Sequence, residues 1–246
     1  MLLEVDKVVK RFGGLIAVNK ASMSVETGEI FGLIGPNGAG KTTLLNVIAG
    51  VYRPSEGAIR FNGRDISDWT PEMVCRIGIS RTFQVPKKFH KMTVLENVIV
   101  AATFGMSRRQ GHPQKLAEEA LEFVKFPLAY HTLAGKLNAT QLKRLDMARA
   151  LASKPKLLLL DEPASGLNPG EVDDLMGLIR DINGMGVTII LVEHLMKLIM
   201  NVTSRMAVLD YGEKIADGSP DEISSNPRVI EAYLGQEYTR ETVGVG

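Results

Sequence analysis

The fold of this chain is decided by one stretch, Gly35-Pro36-Asn37-Gly38-Ala39-Gly40-Lys41-Thr42-Thr43. The stretch fits the pattern G-x-x-x-x-G-K-[ST] of a phosphate-binding loop. It follows the apolar run Ile30–Ile34, which predicts a strand, and it leads into Thr43–Ile48, whose apolar residues have helical spacing. Between a strand and a helix, the glycines let the backbone wrap around phosphates, and the amides at the helix N-terminus point at the anion. We therefore predict a nucleoside triphosphate site.

Four side chains have predicted chemical roles. Lys41 is expected to reach the β- and γ-phosphates, and the Thr42 hydroxyl is expected to bind Mg²⁺. A second motif is the acidic pair Asp161-Glu162, which directly follows the apolar run Leu157–Leu160. A carboxylate at the end of a buried strand suits a metal ion, so Asp161 is a predicted ligand. Glu162 is predicted to polarise the attacking water as a general base.

Composition and charge exclude several classes of protein. The chain has 246 residues, with 29 Lys and Arg against 28 Asp and Glu. This balance lacks the basic excess of a nucleic-acid-binding surface. Cys75 is the only cysteine, so no internal disulfide forms, and a reducing compartment fits. The first residues lack the apolar stretch of a signal peptide, and no apolar run approaches the ~20 residues of a membrane span. We expect a cytoplasmic protein that reaches a membrane only through a partner.

The order of predicted elements indicates the fold class. Alternating patterns predict strands over residues 2–9 and 21–25, and residues 57–63 predict a strand that ends in an Asn-Gly turn. Residues 93–153 are mostly helical, with a Thr93–Glu96 capping box, a helix beginning at Pro113 and a helix over residues 141–152. The runs at 157–160 and 187–192 predict covered parallel strands around a helix that Asn168 caps.

We therefore predict an α/β P-loop NTPase core, with a mixed, mainly parallel sheet, an antiparallel β subdomain and a helical insert. The predicted subdivision places the first part of the core and the antiparallel β part in residues 1–90. The helical subdomain covers residues 91–154, and the second part of the core with the C-terminal tail covers residues 155–246.

The order of motifs resembles that of the ATP-binding cassette (ABC) ATPases over nearly the whole chain. The motifs are the phosphate loop, Gln84, the helical insert, Leu160-Asp161-Glu162-Pro163 and His194. The resemblance implies that Gln84 senses Mg²⁺ and the attacking water, and that His194 is the switch that senses the γ-phosphate. It implies that Phe12 stacks on adenine and that Ser165-Gly166-Leu167-Asn168 crosses to a second subunit.

Further motifs resemble the branched-chain amino acid importer branch. They are Lys10–Leu15, Ser80–Gln84, Met92–Val98, Glu193–Met200 and Ala232–Gly235. This branch implies an ATP-hydrolysing subunit, peripheral on the inner face of the membrane, that pairs with an identical or a similar ATPase on multi-span permease subunits fed by a substrate-binding protein. The coupling surface is expected near residues 84–92, with Lys87, Lys88 and Phe89 as exposed candidates. The alternatives are a lipid or lipopolysaccharide exporter ATPase, a soluble translation or repair cassette, and a regulatory cassette that only binds nucleotide.

The sequence departs from the family at two places. The signature, usually Leu-Ser-Gly-Gly-Gln, corresponds to Leu137-Asn138-Ala139-Thr140-Gln141. Asn138 and Gln141 can still cap a helix whose N-terminus faces the γ-phosphate held by the opposite subunit. Side chains at 139 and 140 crowd an approach that glycine leaves open, which motivates the hypothesis of a weakened signature half-site. The second departure is Leu195, where the branch usually has an Asp beside the switch histidine.

Overall fold

The computed structural model describes residues 1–83, 87–105 and 112–233. These residues divide into two units. The first unit contains residues 1–69 and the described residues from Ile190 onward, and the second contains Thr70–Ile189. The predicted three-part subdivision at residues 90 and 154 stays a prediction.

The first unit holds an antiparallel sheet and part of a mixed sheet. Its elements are β1 (Leu3–Phe12), β2 (Leu15–Val25), β3 (Ile30–Ile34), α1 (Lys41–Ile48), β4 (Glu56–Phe61), β5 (Arg64–Asp65), α7 (Met196–Val202), β9 (Arg205–Asp210), β10 (Glu213–Gly218) and α8 (Pro220–Ser224). The antiparallel sheet has the order β2-β1-β4-β5, and the predicted turn at residues 62–63 joins its last two strands. In the mixed sheet, β9 pairs antiparallel with β10 and parallel with β3.

The second unit holds the helical insert and two parallel strands. Its elements are α2 (Pro71–Arg76), β6 (Ile79–Arg81), α3 (Val94–Phe104), α4 (Pro113–Phe123), α5 (Ala139–Ala152), β7 (Leu157–Asp161) and α6 (Pro169–Gly184). Helices α3, α4 and α5 pack on one another in all three pairs, which confirms the predicted helical insert. Strand β6 runs parallel to β7.

Burial of whole strands confirms the predicted α/β class. Every residue of β3 and β7 is buried, and so is every residue of β8 (Thr188–Val192), which spans the boundary between the units. Continuous apolar strands of this kind are covered on both faces. Within the described ranges, no helix combines the length and the apolar character that a bilayer crossing requires.

The predicted helix starts have the side-chain caps that the sequence indicates. Thr93, Asn138 and Asn168 each accept the backbone N–H of the residue three positions later, whose side chain accepts the capping residue's own N–H. These reciprocal bonds satisfy backbone donors that a helix leaves unpaired at its N-terminus. Helix α4 begins at Pro113, also as predicted.

A buried asparagine fixes the loop before α3. Asn97 is 0% exposed, and its Oδ1 accepts the Phe89 N–H at 2.9 Å. Its Nδ2 lies 2.8 Å from the Thr93 carbonyl and 3.2 Å from the Phe89 carbonyl. Buried backbone groups require such partners, so this side chain sets the path of residues 89–93. In that region Lys87 and Phe89 are exposed, as predicted, whereas Lys88 is half-buried.

Candidate functional site

The phosphate-binding loop lies in the first unit and requires glycine at two positions. Gly35 and Gly40 have φ of 143° and 98°. A Cβ on Gly35 would lie 2.0 Å from the Leu209 carbonyl oxygen, and one on Gly40 would lie 2.3 Å from the Ala17 carbonyl oxygen. Because both contacts are with backbone atoms, no rotation of a side chain relieves them. The loop is therefore shaped by its close approach to β9 and β2.

Lys41 is held inside this loop. Its side chain is buried, and its Nζ donates to the Gly35 carbonyl at 2.7 Å and to the Pro36 carbonyl at 2.8 Å. Helix α1 begins at Lys41 after Gly40, so the free amides of its first turn and the ammonium group occupy the same end of the helix. A helix N-terminus that carries a cation in this way is a site for an anion such as phosphate.

The other loop residues differ in their exposure. Asn37, Gly38 and Thr42 are exposed, whereas Ala39 is buried. The Ala39 carbonyl accepts the Gly212 N–H at 3.0 Å, which ties the loop to the turn between β9 and β10. The exposed residues of the loop therefore belong to a backbone that is anchored to the turn between β9 and β10. Two further loop residues complete the predicted set, buried Pro36 and half-buried Thr43.

Phe12 forms part of an exposed aromatic pair. Phe12 is 41% exposed, and its ring packs edge to face on that of Tyr52, with ring centroids 5.1 Å apart. The ammonium of Lys10 lies 5.1 Å from the Phe12 centroid and donates to the Arg53 carbonyl at 2.9 Å. An accessible aromatic face beside a cation suits a flat, anionic ligand such as a nucleotide. The sequence pattern does not single out Tyr52, because it lies 40 positions from Phe12.

His194 is exposed and lies two residues after the end of β8. The preceding Glu193 is 3% exposed, and its Oε2 accepts the backbone N–H of His194 at 3.1 Å and of Leu195 at 3.4 Å. This carboxylate fixes the backbone at the predicted switch position, where the sequence shows no acid after the histidine. Glu193 belongs to the motif Glu193–Met200, but the sequence pattern does not predict these backbone contacts of its side chain.

In the second unit, Asp161 is a buried carboxylate with a charged partner. It ends β7, is 2% exposed and has its Oδ2 3.4 Å from Nη2 of Arg81. Burying a carboxylate is costly unless a charge or hydrogen bonds compensate it. The guanidinium of Arg81 also lies 4.9 Å from the Phe83 ring centroid. Arg81 therefore supplies positive charge at the predicted metal ligand.

Glu162 follows in an unusual backbone conformation. Its φ is 49°, in the left-handed region that residues other than glycine rarely adopt. The side chain is half-buried, and the Glu162 carbonyl accepts the Ser165 N–H at 3.2 Å. Non-glycine residues held in this region concentrate at functional sites. The conformation turns the chain sharply at the end of β7.

The N-terminus of α5 carries the variant signature. Asn138 Oδ1 accepts the Gln141 N–H at 2.9 Å, and Gln141 Oε1 accepts the Asn138 N–H at 3.0 Å. This confirms the predicted capping pair. Ala139 is exposed and Thr140 is half-buried. The first turn of α5 is therefore closed by side chains at positions 138 and 141, without the serine and glycines that the family usually has.

Helix α5 also holds both flanks of the predicted Gln84 loop. Asp146 Oδ2 accepts the Phe83 N–H at 2.8 Å, and Arg149 Nη1 donates to the Lys87 carbonyl. Asp146 Oδ1 lies 3.3 Å from Arg149 Nη1. Burial raises the pKa of Asp146 to about 6, against the opposing effects of the Phe83 N–H and the Arg149 charge. Gln84 itself lies outside the described residues.

The predicted site residues are thus distributed over both units. Phe12, residues 35–43 and His194 belong to the first, and Asn138, Gln141, Asp161 and Glu162 belong to the second.

Comparison with known proteins identifies the family. A model of the ABC transporter family matches residues 18–165, and a model of the branched-chain amino acid ATP-binding cassette transporter matches residues 213–239. The chain belongs to the ABC transporter family. This cassette is 40% identical to the high-affinity branched-chain amino acid transport ATP-binding protein BraF of Pseudomonas aeruginosa, over 96% of this chain and 98% of that protein.

Solved structures of ABC cassettes have the same fold. The ADP conformation of an ABC transporter cassette superimposes with a TM-score of 0.85 at 33% identity, covering 95% of this chain and 98% of the other. A dimeric post-hydrolysis cassette bound to ADP and phosphate gives a TM-score of 0.81 at 25% identity, covering 89% of this chain and 99% of the other.

The raised pKa of Asp146 predicts a pH-dependent stability of this ABC cassette. A carboxyl whose pKa is higher in the folded state stabilises that state fully below the unfolded value of 3.8, and the contribution is lost as the pH rises through about 6. The free energy of unfolding of the wild type, relative to Asp146→Asn, should fall by roughly 1 kcal/mol between pH 5 and 7.5. Urea unfolding at several pH values measures this difference. A difference that stays constant with pH contradicts the assignment.

Proposed function

We propose that this chain is the ATP-hydrolysing subunit of a membrane importer for branched-chain or related amino acids. The observation that carries the proposal is the loop at Gly35–Thr43, whose backbone and buried Lys41 form a phosphate site. The solute class rests on the names of the relatives, such as the P. aeruginosa protein, which align along nearly the whole chain. Two cassettes would act together, as in the dimeric relative.

In this proposal the first unit binds the nucleotide. Lys41 and the amides of residues 38–43 hold the β- and γ-phosphates by charge-assisted hydrogen bonds. Phe12 stacks on the adenine, with Lys10 and Tyr52 beside it. His194 contacts the γ-phosphate from a backbone that Glu193 fixes. The loop geometry supports this assignment because it presents donors on a backbone that β2 and β9 hold in place.

The second unit supplies the hydrolytic groups. Glu162 orients and deprotonates the attacking water, and Gln84 senses this water. A hydroxyl (Thr42), an amide oxygen (Gln84) and a carboxylate (Asp161) are oxygen ligands of the kind that Mg²⁺ prefers, so the residues fit this cofactor. When bound, Mg²⁺ neutralises charge on the phosphate oxygens. The Asp161 carboxylate would then interact with both Arg81 and the metal ion.

An importer subunit of this kind would contact several other proteins. Asn138 and Gln141 would cap the α5 N-terminus toward ATP on a second, identical or similar cassette. Residues 84–92 would contact multi-span permease subunits, where Lys87 and Phe89 are exposed. A substrate-binding protein would act on the complex from the other side of the membrane. The cassette described here would accordingly lie on the inner face of the membrane.

The base role predicts the behaviour of a Glu162→Gln variant. The amide cannot accept a proton, so ATP turnover should fall by about 100-fold or more while ATP affinity stays within about twofold of wild type. The variant should accumulate as an ATP-bound dimer in size-exclusion chromatography. Glu118→Gln, an exposed site on α4, is the matched control and should hydrolyse ATP at the wild-type rate. Unchanged turnover in Glu162→Gln would remove Glu162 from the base role.

The importer assignment predicts the composition of the purified complex. Affinity purification from mild detergent should recover this chain with two multi-span membrane proteins and a second cassette. Addition of a binding protein loaded with a branched-chain amino acid should then raise ATP turnover in reconstituted vesicles. Recovery with ribosomes or DNA, or stimulation by a lipid instead, would contradict the assignment.

A further inference from the structure

The signature helix and the turn after Glu162 are joined by two side chains of α5. Thr140 Oγ1 donates to Glu171 Oε1 at 3.1 Å. Lys143 Nζ donates to the Pro163 carbonyl at 2.9 Å and also to the Ser165 carbonyl. All of these groups belong to the second unit. We call this set of bonds the α5 latch.

The Thr140 bond exists only because this chain departs from the family at that position. A glycine has no hydroxyl and could not reach Glu171. The same carboxylate closes the N-terminus of α6, because its Oε2 accepts the Asn168 N–H at 3.0 Å while Asn168 Oδ1 accepts the Glu171 N–H at 3.0 Å. One carboxylate thus connects the first turn of α5 to the first turn of α6.

Lys143 binds the other end of the stretch between Glu162 and Glu171. The two carbonyls that it binds lie one and three positions after Glu162, and hydrogen bonds from a charged ammonium are stronger than those between neutral groups. The Ser165 N–H also donates to the Glu162 carbonyl. These bonds therefore hold the turn that directly follows Glu162, whose φ is 49°.

The surroundings strengthen these bonds. A single cavity between α5 and α6 is bordered by Thr140, Lys143, Glu162, Pro163 and Glu171. Thr140, Lys143 and Glu171 are half-buried, so solvent competes less for their hydrogen bonds than it does at an exposed pair. By contrast, Arg144 lies 3.5 Å from Asp174, which is 70% exposed, and such a pair contributes little.

We propose that Thr140 and Lys143 are positioning residues that couple the N-terminus of α5 to the turn that orients Glu162 in the same chain. The inference rests on the proposed function, in which the α5 N-terminus faces ATP on the second cassette. An ATP at the partner's site then biases the base at this chain's own site, which links the two sites of the dimer. Thr140 adds a tie within the chain where the family usually has a glycine.

The test compares variants that keep the shape of Thr140. Thr140→Val removes the hydroxyl and keeps the branched side chain, and Thr140→Ser restores the hydroxyl. The matched control is Thr103→Val on α3, because the Thr103 hydroxyl donates to the Ile99 carbonyl of its own helix. Lys143→Met removes the second half of the latch. All variants are measured in the assembled complex.

The first readout is hydrogen exchange, which requires no activity. Thr140→Val and Lys143→Met should speed exchange of the amides at residues 165–172 by roughly fivefold, whereas Thr140→Ser and Thr103→Val should not. The second readout is turnover. In Thr140→Val, kcat should fall by roughly fivefold with an unchanged KM for ATP, and Thr140→Ser should restore it. A merely structural role would lower the melting temperature without this split between kcat and KM.

The outcomes separate the two proposals. If the wild type hydrolyses ATP and Thr140→Val matches it in both exchange and kcat, the latch is refuted and the proposed function stands. If the wild type shows no ATP turnover, the proposed function fails, and the exchange data still decide whether the latch holds the turn. Equal effects of Thr140→Ser and Thr140→Val would also refute the latch.

Discussion

The contact of the loop backbone with two strands is the constraint on which the rest of the site depends. Gly35 and Gly40 leave no room for a side chain because the carbonyls of Leu209 and Ala17 face their α-carbons. This approach curves the loop so that the carbonyls of residues 35 and 36 receive the ammonium of Lys41. The buried ammonium of Lys41 then lies at the N-terminus of α1. In the proposed function, anion binding would therefore depend on this backbone packing as much as on the lysine.

Helix α5 organises the second unit in a comparable way. Its first turn is capped by Asn138 and Gln141, its next residues hold the turn after Glu162, and its later residues Asp146 and Arg149 hold the flanks of residues 84–86. A single helix thus contacts three of the segments for which the resemblance implies functional roles. Small changes at its N-terminus can reach each of them, because packed elements shift as units.

The sequence predicts the local features of this structure well. The buried strands at 30–34 and 157–161, the helix caps at Thr93, Asn138 and Asn168, and the turn at residues 62–63 all depend on neighbours close in the chain. Such patterns have local physical causes, so they can be read without a fold. The family motifs likewise locate the phosphate loop and the acids at the end of β7.

The features that the sequence does not predict are long-range. Arg81 and Asp161 are 80 positions apart, and Thr140 and Glu171 are 31 apart, so no local pattern connects them. The sequence alone presents Thr140 as a bulky replacement for glycine, whereas the fold gives its hydroxyl a partner. The raised pKa of Asp146 depends on burial that only the folded chain creates.

If the loop around Lys41 holds the triphosphate, as proposed, ATP affinity must depend on the Lys41 ammonium. Isothermal titration with Mg²⁺ and ATP should show that Lys41→Ala loses about 100-fold in affinity, because two or more charge-assisted hydrogen bonds to phosphate are removed. Lys136→Ala, an exposed lysine of the second unit, should bind ATP like the wild type. Wild-type affinity in a folded Lys41→Ala variant would show that this loop does not hold the triphosphate.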